Sequence, residues 1–489
     1  MRTVSKINFK AGRNLLFLAL SVSLFSCSKS DSNGGGGNGA TMTAFSFQQA
    51  GNNIPVASTA TINGSAINIF LPPGTNANAL IASYSLSDSG TVTVNGAKQQ
   101  SGTTANNFSS PVSYSVTGMN GATNTYTVNL ITGIVPIDQN VQAFMTKYNI
   151  PGLTIAITLD EKLVYLNAYG KGSIEDNQAA IPSNLFRLSS LSKQITSVAV
   201  MRLLDQGKIN LDQNVFGTGG ILGNNYGTLP YGPGITQITV RELLHHTEGG
   251  WPDNDTDPLG QGLNLNSQQI VSWGLNNVPL LDPVPGNSYY YSHFGYVILG
   301  RVIEQITGQS YSDAVKTLVL QPAGISDMQI AGNTLAQRLP NEVRYYSNNS
   351  NDPYAMNVTV QDAANGWVGS ALDMAKFLVN VDGLSGKTIL TPNALKNMSA
   401  GSTANPTYAC GWEINQYNWF HNGNFPGTGT TQAITTQNGN FNYVILCNGS
   451  NPAGSIGNFS NDMQSIFWNA QGAMTLWPSY DLFSSSVGK

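Results

Sequence analysis

Ser190 and Lys193 are the residues whose types and spacing point most directly to chemistry. They lie three positions apart in the segment Ser190-Leu191-Ser192-Lys193, and on a helix this spacing places both side chains on one face. A serine hydroxyl is a weak nucleophile that needs a base, and a lysine becomes one where burial or a nearby cation lowers its pKa. The pair therefore predicts a nucleophilic serine, with an inert surface helix as the alternative. Ser189 has no lysine at this spacing.

The elements around this pair predict an α+β fold. A helical pattern of apolar residues runs from Ser190 to Gly207 and would carry the pair, and a second helix is predicted at 462–470. Strands are predicted near both ends of this region, at 153–159, 163–166, 409–414, 431–435 and 443–446. Strands at both ends with helices between them predict one antiparallel sheet, flanked by helices and carrying an inserted helical region.

The histidines and cysteines are too scattered to predict a metal site. The chain has 4 histidines and 3 cysteines, without a HExxH or CxxC arrangement, so we expect neither a metal nor a cofactor. Cys410 and Cys447 both lie on predicted strands. A disulfide and two buried free thiols are both compatible with that placement.

Several segments resemble, in order, the motifs of the class C β-lactamase, D,D-peptidase and esterase superfamily. The first contains Ser190 and Lys193, Tyr291-Ser292-His293 stands at the place of a Tyr-x-Asn motif, and His421-Asn422-Gly423 stands at the place of Lys/His-Thr/Ser-Gly. The matching segments are 186–211, 238–247, 285–300, 366–377 and 421–427. The resemblance implies a serine hydrolase domain of the β-lactamase and penicillin-binding-protein type, which we place at residues 136–480.

The resemblance also implies a role for each motif residue. Ser190 would attack an acyl carbon, while Lys193 and the phenol of Tyr291 would share the proton transfers. The backbone N–H groups of Ser190 and Asn424 would form the oxyanion hole. Substrate contacts are expected from His293, His421, Asn422 and Gly423.

Departures from the family pattern bear on the substrate. His293 replaces an asparagine, and a neutral imidazole offers a donor and an acceptor in a different shape. Asn422 stands where a serine or threonine is usual, and His421 replaces the lysine that binds the carboxylate of penicillins in strict β-lactamases. Strong β-lactamase activity is therefore not expected. His245-His246 is interpreted as a structural turn, because Ser-Lys-Tyr chemistry needs no histidine.

Three functions are compatible with these residues. The first is a serine hydrolase that acts through an acyl-enzyme on D-amino-acid peptides, peptidoglycan-type peptides or small esters. The second is a β-lactamase that hydrolyses penicillins or cephalosporins, and the third is a catalytically inactive, penicillin-binding-like surface protein. The intact set of Ser190, Lys193 and Tyr291 favours the first, with a small peptide, amide or ester as its partner.

The first residues are typical of an exported lipoprotein. Basic residues precede the apolar stretch from Leu15 to Leu24, and Leu24-Phe25-Ser26-Cys27 resembles a lipobox. We predict a signal peptide at 1–26, an acylated Cys27 and a flexible Gly/Ser/Asn-rich tether at 27–40. An uncleaved anchor helix is the alternative. The expected location is the outer membrane, periplasm or cell surface of a Gram-negative bacterium.

Residues 41–132 predict a separate all-β module. Apolar and polar residues alternate in short runs, as at Ile67 and Ile69, and turn signals such as Asn95-Gly96 separate the runs. This pattern resembles the immunoglobulin-like sandwiches of bacterial surface proteins. The module is interpreted as a spacer, with carbohydrate binding as the alternative.

The composition excludes one class of partner. Only 10% of the 489 residues are charged, and the formal net charge is −4. No stripe of lysine and arginine is present, so the sequence predicts no nucleic-acid partner.

Overall fold

An all-β domain followed by an α+β domain makes up the chain, which confirms the predicted fold class. The computed structural model describes residues 39–348, 351–384, 387–435, 439–450 and 456–485. The predicted signal peptide, Cys27 and most of the predicted tether lie outside these ranges. Within them, no helix combines the length and the apolar character that a membrane crossing requires.

The N-terminal domain is a sandwich of two sheets. One sheet has the strand order β2-β1-β5-β8 and the other β3-β4-β10-β9-β6-β7, with β4 and β10 parallel. The strands are β1 Met42–Phe47, β2 Ser58–Thr59, β3 Thr61–Asn63, β4 Ala66–Leu71, β5 Leu80–Leu86, β6 Gly90–Val94, β7 Ala97–Lys98, β8 Ala105–Asn106, β9 Val112–Gly118 and β10 Thr123–Thr132.

The sandwich has its own core because inward and outward residues alternate along its strands. Phe45, Phe47, Phe108 and Tyr114 pack edge to face or stacked at its centre. Another part of the domain reaches the following one, since Val56 and Phe70 belong to the main buried cluster of the α+β domain.

A seven-stranded sheet organises the α+β domain, in the order β13-β12-β11-β20-β19-β18-β17. Its centre joins both ends of the domain, because β11 pairs antiparallel with β20 from Leu153 and Cys447 to Leu159 and Phe441. The strands are β11 Gly152–Leu159, β12 Lys162–Ser173, β13 Gln178–Ala179, β14 Phe186–Arg187, β15 Gln329–Ile330, β16 Trp367–Gly369, β17 Glu413–Ile414, β18 Asn418–Phe425, β19 Thr428–Thr435 and β20 Phe441–Cys447. Strands β14, β16 and β15 form a small second sheet.

Helices cover both faces of the large sheet. The α-helices of the domain are α1 Val135–Tyr148, α2 Ser192–Asp205, α3 Val240–His245, α4 Ser267–Asn277, α5 His293–Thr307, α6 Tyr311–Val315, α7 Asp362–Asn365, α8 Ala371–Val379, α9 Pro392–Met398 and α10 Ile456–Ala473. Helices α1 and α10 pack together on one face, and α8 packs on β11 and β20 on the other. The central helix α2 contacts α5, α7 and α9 and is buried over most of its length.

Two sequence predictions differ from the structure. The strand predicted at 409–414 exists only at Glu413–Ile414, because Gly411 has φ of 78° and turns the chain just before it. Strand β18, which carries His421, was not predicted. Its sequence contains three asparagines and a glycine, which are depleted in strands.

The two cysteines in the α+β domain are free thiols. Cys410 lies in the cluster around α2, whereas Cys447 lies in the cluster between the sheet, α1 and α10. Of the two alternatives for this pair, the structure contains the buried thiols.

Candidate active site

Ser190 lies in a tight turn at the start of the central helix. A 3-10 turn over Ser189–Leu191 leads directly into α2, and Ser190 is 7% exposed. Ser189 has φ of 51°, a left-handed conformation that is uncommon for a side chain larger than glycine. Its hydroxyl donates a 3.1 Å hydrogen bond to the backbone carbonyl of Asn424. The turn that presents Ser190 is thereby joined to strand β18.

Lys193 is completely buried one helical turn later. Its Nζ lies 3.3 Å from Ser190 Oγ, 3.0 Å from His293 Nδ1, 3.2 Å from the Ala364 carbonyl and 3.3 Å from Asn365 Oδ1. Burial lowers the pKa of Lys193 to about 7, against the opposing effect of two aspartates. A lysine with this pKa is partly unprotonated at neutral pH and can accept a proton.

Tyr291 faces the same pair of residues. Lys193 Nζ lies 4.9 Å from the centre of the Tyr291 ring. The buried Tyr291 hydroxyl makes no hydrogen bond of good geometry, and Ser190 is the hydroxyl that interacts with it most closely. Burial raises the pKa of Tyr291 well above its usual value, so the phenol keeps its proton.

His293 connects Lys193 to a carboxylate that was not predicted from the sequence. His293 Nε2 lies 3.1 Å from Asp253 Oδ2, with the His293 side chain 13% exposed and the Asp253 side chain 51% exposed. Burial and the charge of Lys193 lower the pKa of His293. Burial raises the pKa of Asp253. The hydrogen bond and the charge of His293 outweigh burial, so the net effect is a lower pKa.

His421 is held at both of its ring nitrogens. The backbone N–H of Ser292 donates to His246 Nδ1 at 3.1 Å, so the proton of neutral His246 is on Nε2, which lies 3.1 Å from the Tyr408 hydroxyl. Tyr408 therefore donates its own proton to His421 Nε2 at 3.2 Å. His421 Nδ1 in turn donates to the Asn422 carbonyl at 2.6 Å.

His421 is neutral chiefly because it is buried. Burial, with the charge of Lys193 second, lowers the pKa of His421 to about 3. Burial also lowers the pKa of His246 well below its usual value, and its ring centre lies 4.4 Å from that of Tyr291. The turn at His246 thus supports the segment that carries Tyr291, and it lies inside the site.

The motif residues on β18 point in different directions. Gly423 faces the Thr430 side chain and the serine turn: an added Cβ would clash with Thr430 Oγ1 and would lie 3.0 Å from the Leu188 carbonyl and 3.1 Å from Ser189 Cβ. The amide of Asn422 turns away and accepts a 3.0 Å hydrogen bond from Gln464 on α10. Asn422 is therefore not brought to Ser190, because alternate residues of a strand face opposite sides of a sheet.

A cavity of about 250 Å³ opens beside His293. Asp253, Asp257 and Asn424 are among its lining residues, and no lysine or arginine is among them. Burial raises the pKa of Asp257 to about 7. The cavity therefore has two carboxyl groups on its wall and borders His293, the residue that contacts Lys193.

Three residues of the site were missed from the sequence: Asp253, Asn365 and Tyr408. Asn365 directly precedes the matching segment that begins at Gly366, which was the available signal for it. Asp253 and Tyr408 lie in loops outside the recognised motifs. In the described residues, no group of three or more His, Cys, Asp or Glu side chains is arranged to hold a metal ion.

Known proteins match both domains. The family model described as Beta-lactamase matches residues 137–458, and the model described as SGBP, N-terminal matches residues 42–130. A penicillin-binding protein of Bacillus subtilis (strain 168) is 27% identical over 190 residues, which are 38% of each chain. Protein flp of Staphylococcus aureus (strain MW2) is 25% identical over 329 residues, 64% of this chain and 62% of the relative. The matches thus span less than two thirds of these relatives.

Solved structures share the fold. The D-amino acid amidase of Ochrobactrum anthropi SV3 superposes with a TM-score of 0.56 at 20% identity, over 69% of this chain and 99% of the amidase. The hydrolase EstCE1 superposes with a TM-score of 0.52 at 19% identity, over 67% of this chain and 98% of that chain. Since the Beta-lactamase model covers more than half of the chain, and the fold and motif order agree with it, this protein belongs to the Beta-lactamase family.

Proposed function

We propose that this protein hydrolyses amide or ester bonds through an acyl-enzyme on Ser190. The observation that carries the proposal is the buried amine of Lys193, 3.3 Å from the Ser190 hydroxyl, with a pKa lowered to about 7. A serine beside such a base can be activated as a nucleophile. Family membership supports hydrolase chemistry in general, and the substrate is inferred from the residues around the pair.

We assign each step of the reaction to a group of the candidate site. As Ser190 Oγ bonds to the acyl carbon, its proton passes to Lys193 Nζ and the carbonyl electrons move onto oxygen. When the tetrahedral intermediate collapses, the leaving group takes a proton from Lys193 or from the protonated phenol of Tyr291. Water then repeats the sequence at the acyl-enzyme and releases the acid.

We assign the oxyanion hole to the backbone N–H groups of Ser190 and Asn424. The hydrogen bond from Ser189 to the Asn424 carbonyl supports this assignment, because it holds the serine turn against β18. Gly423 supports it as well, since a side chain there would separate the two segments. Fixed backbone donors stabilise developing negative charge strongly where water is excluded.

The charges near Ser190 favour a substrate with a free amine over one with a free carboxylate. Asp253 and Asp257 line the cavity beside His293, while the neutral His421 offers no positive charge to a carboxylate. We therefore propose D-amino-acid amides or peptides with a free amino end, and small neutral esters, as substrates. Penicillins and substrates that end in a carboxylate are less well supported.

We propose that the N-terminal domain is a spacer and that acylated Cys27 anchors the protein to the membrane. The tyrosines of the domain, Tyr84, Tyr114 and Tyr126, are buried or half-buried, so they offer no exposed aromatic platform for a sugar. The match of residues 42–130 to the model described as SGBP, N-terminal favours the alternative, a binding role for this domain. The lipid anchor is supported by the order of residues that ends at Cys27.

Intact-mass spectrometry tests the reaction. The protein would be incubated separately with a fluorophosphonate, p-nitrophenyl acetate and penicillin G, and labelled samples would be mapped by peptide. We expect an adduct on Ser190 from the first two, none in Ser190→Ala, and full labelling in the control Ser465→Ala on α10. An adduct on another residue would overturn the mechanism, and no adduct from any donor would favour an inactive binding protein.

A matched pair of substrates tests the preference for an amine. Hydrolysis of D-phenylalanine p-nitroanilide would be compared with that of its N-acetyl derivative, which lacks the positive charge. We expect kcat/KM to be higher for the free amine, and Asp257→Asn to reduce the difference. Equal or faster turnover of the acetylated compound would contradict the proposed preference.

A further inference from the structure

Asp253, His293 and Lys193 form a continuous line of hydrogen bonds that ends at Ser190. Asp253 Oδ2 lies 3.1 Å from His293 Nε2, and His293 Nδ1 lies 3.0 Å from Lys193 Nζ. An ionised carboxylate only accepts hydrogen bonds, so the proton of the neutral imidazole is on Nε2. The lone pair of Nδ1 therefore faces Lys193.

An ammonium at Lys193 has no free electron pair for Ser190. Four acceptors surround its three protons, namely His293 Nδ1, the Ala364 carbonyl, Asn365 Oδ1 and Ser190 Oγ, and the Ser190 hydroxyl itself donates to Asn365 Oδ1 at 3.2 Å. Of these acceptors only the imidazole can take up a proton near neutral pH, and the hydrogen bond and charge of Asp253 favour that proton against burial and the charge of Lys193, which lower the pKa of His293. Once it does, the amine keeps two protons for the Ala364 carbonyl and Asn365 Oδ1. Rotation about its Cε–Nζ bond then turns its lone pair toward Ser190 Oγ at 3.3 Å, and the serine hydroxyl turns from Asn365 Oδ1 to donate to the amine.

We propose that Asp253 and His293 are a positioning pair that relieves Lys193 of its proton and so makes the lysine the base for Ser190. The inference rests on the proposed acyl-enzyme function and adds a route for the proton. One N–H bond of Lys193 breaks and one forms at His293 Nδ1, and Asp253 then faces an imidazolium. The amine next takes the Ser190 proton as the Oγ–carbon bond forms, and later gives it to the leaving group. Protons and charge balance without another reactant.

Among the groups around Lys193, Asp253 is the carboxylate that contacts His293. The titratable groups that face Lys193 come from several elements: His246, Asp253, Asp257, Tyr291, His293, Tyr296 and His421. Only the two aspartates among them can be negative. Asp253 is half exposed and stays ionised, whereas burial raises the pKa of Asp257 to about 7.

Two conservative variants separate this role from a structural one. His293→Asn keeps an acceptor for Lys193 but cannot hold its proton, and Asp253→Asn keeps an acceptor for His293 Nε2 but removes the charge. The pre-steady-state burst of p-nitrophenol from p-nitrophenyl acetate would be measured from pH 5 to 10. Asp255→Asn, an exposed carboxylate two residues away, is the control for the same charge change.

The acid limb of the pH profile is the range in which the acylation rate falls as pH decreases. We expect both variants to move this limb to higher pH by about one unit. This corresponds to about tenfold slower acylation on that limb, with the rate largely recovered at high pH. A purely electrostatic effect of Asp253 on Lys193 predicts the opposite, because removal of the charge would lower the lysine pKa and move the limb to lower pH.

The outcomes distinguish this inference from the function on which it rests. Normal acylation of the wild type, with unshifted or downward-shifted limbs in the two variants, would overturn the pair and leave the hydrolase proposal standing. A uniform loss at all pH values would also overturn it, since that is the signature of a structural role. Failure of the wild type to form an acyl-enzyme would overturn both.

Discussion

The hydroxyl of Tyr408 donates its proton to His421 Nε2 across 3.2 Å, although the two residues lie on different sides of a turn. The same hydroxyl receives a hydrogen bond from His246 at 3.1 Å. The backbone N–H of Ser292 fixes the tautomer of His246, and Tyr408 links that histidine to His421. The position of Tyr408 also shows why His421 cannot serve as a ready-made cation for a substrate carboxylate.

We expect Tyr408→Phe to destabilise the protein and to slow turnover of small esters several-fold. The change leaves two buried ring nitrogens without partners, which typically costs about 1–3 kcal/mol for each unsatisfied group. Thermal unfolding and steady-state kinetics would measure the two effects. Tyr417→Phe, at a side chain that is 43% exposed, is the control and is expected to change neither. An unchanged melting temperature for Tyr408→Phe would contradict the hydrogen bonds from Tyr408 to His246 and His421.

Lys193→Ala and Tyr291→Phe should each lower kcat by about 10²-fold or more, because general acid–base help is typically worth 10²- to 10⁴-fold. If both groups act on the same proton transfer, the double variant should lose much less than the product of the two single losses. Steady-state kinetics on p-nitrophenyl acetate would measure this. Exposed Lys396→Ala is the matched control, and full multiplicativity would show that the two groups act in separate steps.

The wild-type enzyme should become more active as pH rises through about 7. Burial lowers the pKa of Lys193 to about 7, and the lysine is a base only when it has lost its proton. Activity is therefore present above that pH and lost below it. The pH dependence of kcat/KM with a neutral ester, which does not itself titrate, would measure the limb. A limb near the ordinary lysine pKa would contradict the buried environment.

Gly423→Ala should lower the turnover of small esters strongly while it lowers the free energy of unfolding only moderately. The added Cβ would clash most severely with Thr430 Oγ1 on β19 and would also lie 3.0 Å from the Leu188 carbonyl and 3.1 Å from Ser189 Cβ, so the Thr430 side chain must move and β18 must shift away from the serine turn. Overpacking of this kind typically costs about 1–3 kcal/mol. Gly472→Ala on α10 meets nothing within 4 Å and is the control. Near-normal turnover in Gly423→Ala would argue against an oxyanion hole between these segments.

Cys27→Ala should release the protein from the membrane fraction or leave it unprocessed. The basis is the sequence alone, because the basic, apolar and small residues in order end at Cys27. Fractionation and N-terminal mass analysis of the mature protein would test it. An unchanged membrane distribution would rule out acylation of this cysteine as the anchor.

The sequence predicts secondary structure correctly where the spacing of apolar residues within one segment indicates a helix or a strand. Helix α2 follows the predicted helix closely, and the β11–β12 hairpin follows from two apolar runs joined by a short turn. Strand β18 escaped prediction because its asparagines and glycine conceal the alternation. Its pairing with β19, rather than its own composition, makes it a strand.

The rest of the site depends on contacts between distant segments. Asp253 approaches His293 from a loop of the helical region, and Tyr408 approaches His421 from the segment that precedes β17. No local pattern marks either residue, since a lone aspartate or tyrosine in a loop is ordinary. Family motifs identified the residues that react, whereas the residues that support them became visible only through distances.

The pairing of β11 with β20 also determines the order in which the two domains can fold during synthesis. A ribosome releases Leu153 long before Cys447 exists, yet these residues are neighbours in the sheet. The N-terminal sandwich has its own core and can form early, but the hydrolase sheet must wait for the end of the chain. A chain that terminates before β19 would therefore have a folded first domain followed by an unfolded segment. The hydrolase domain would be inactive until synthesis is almost complete.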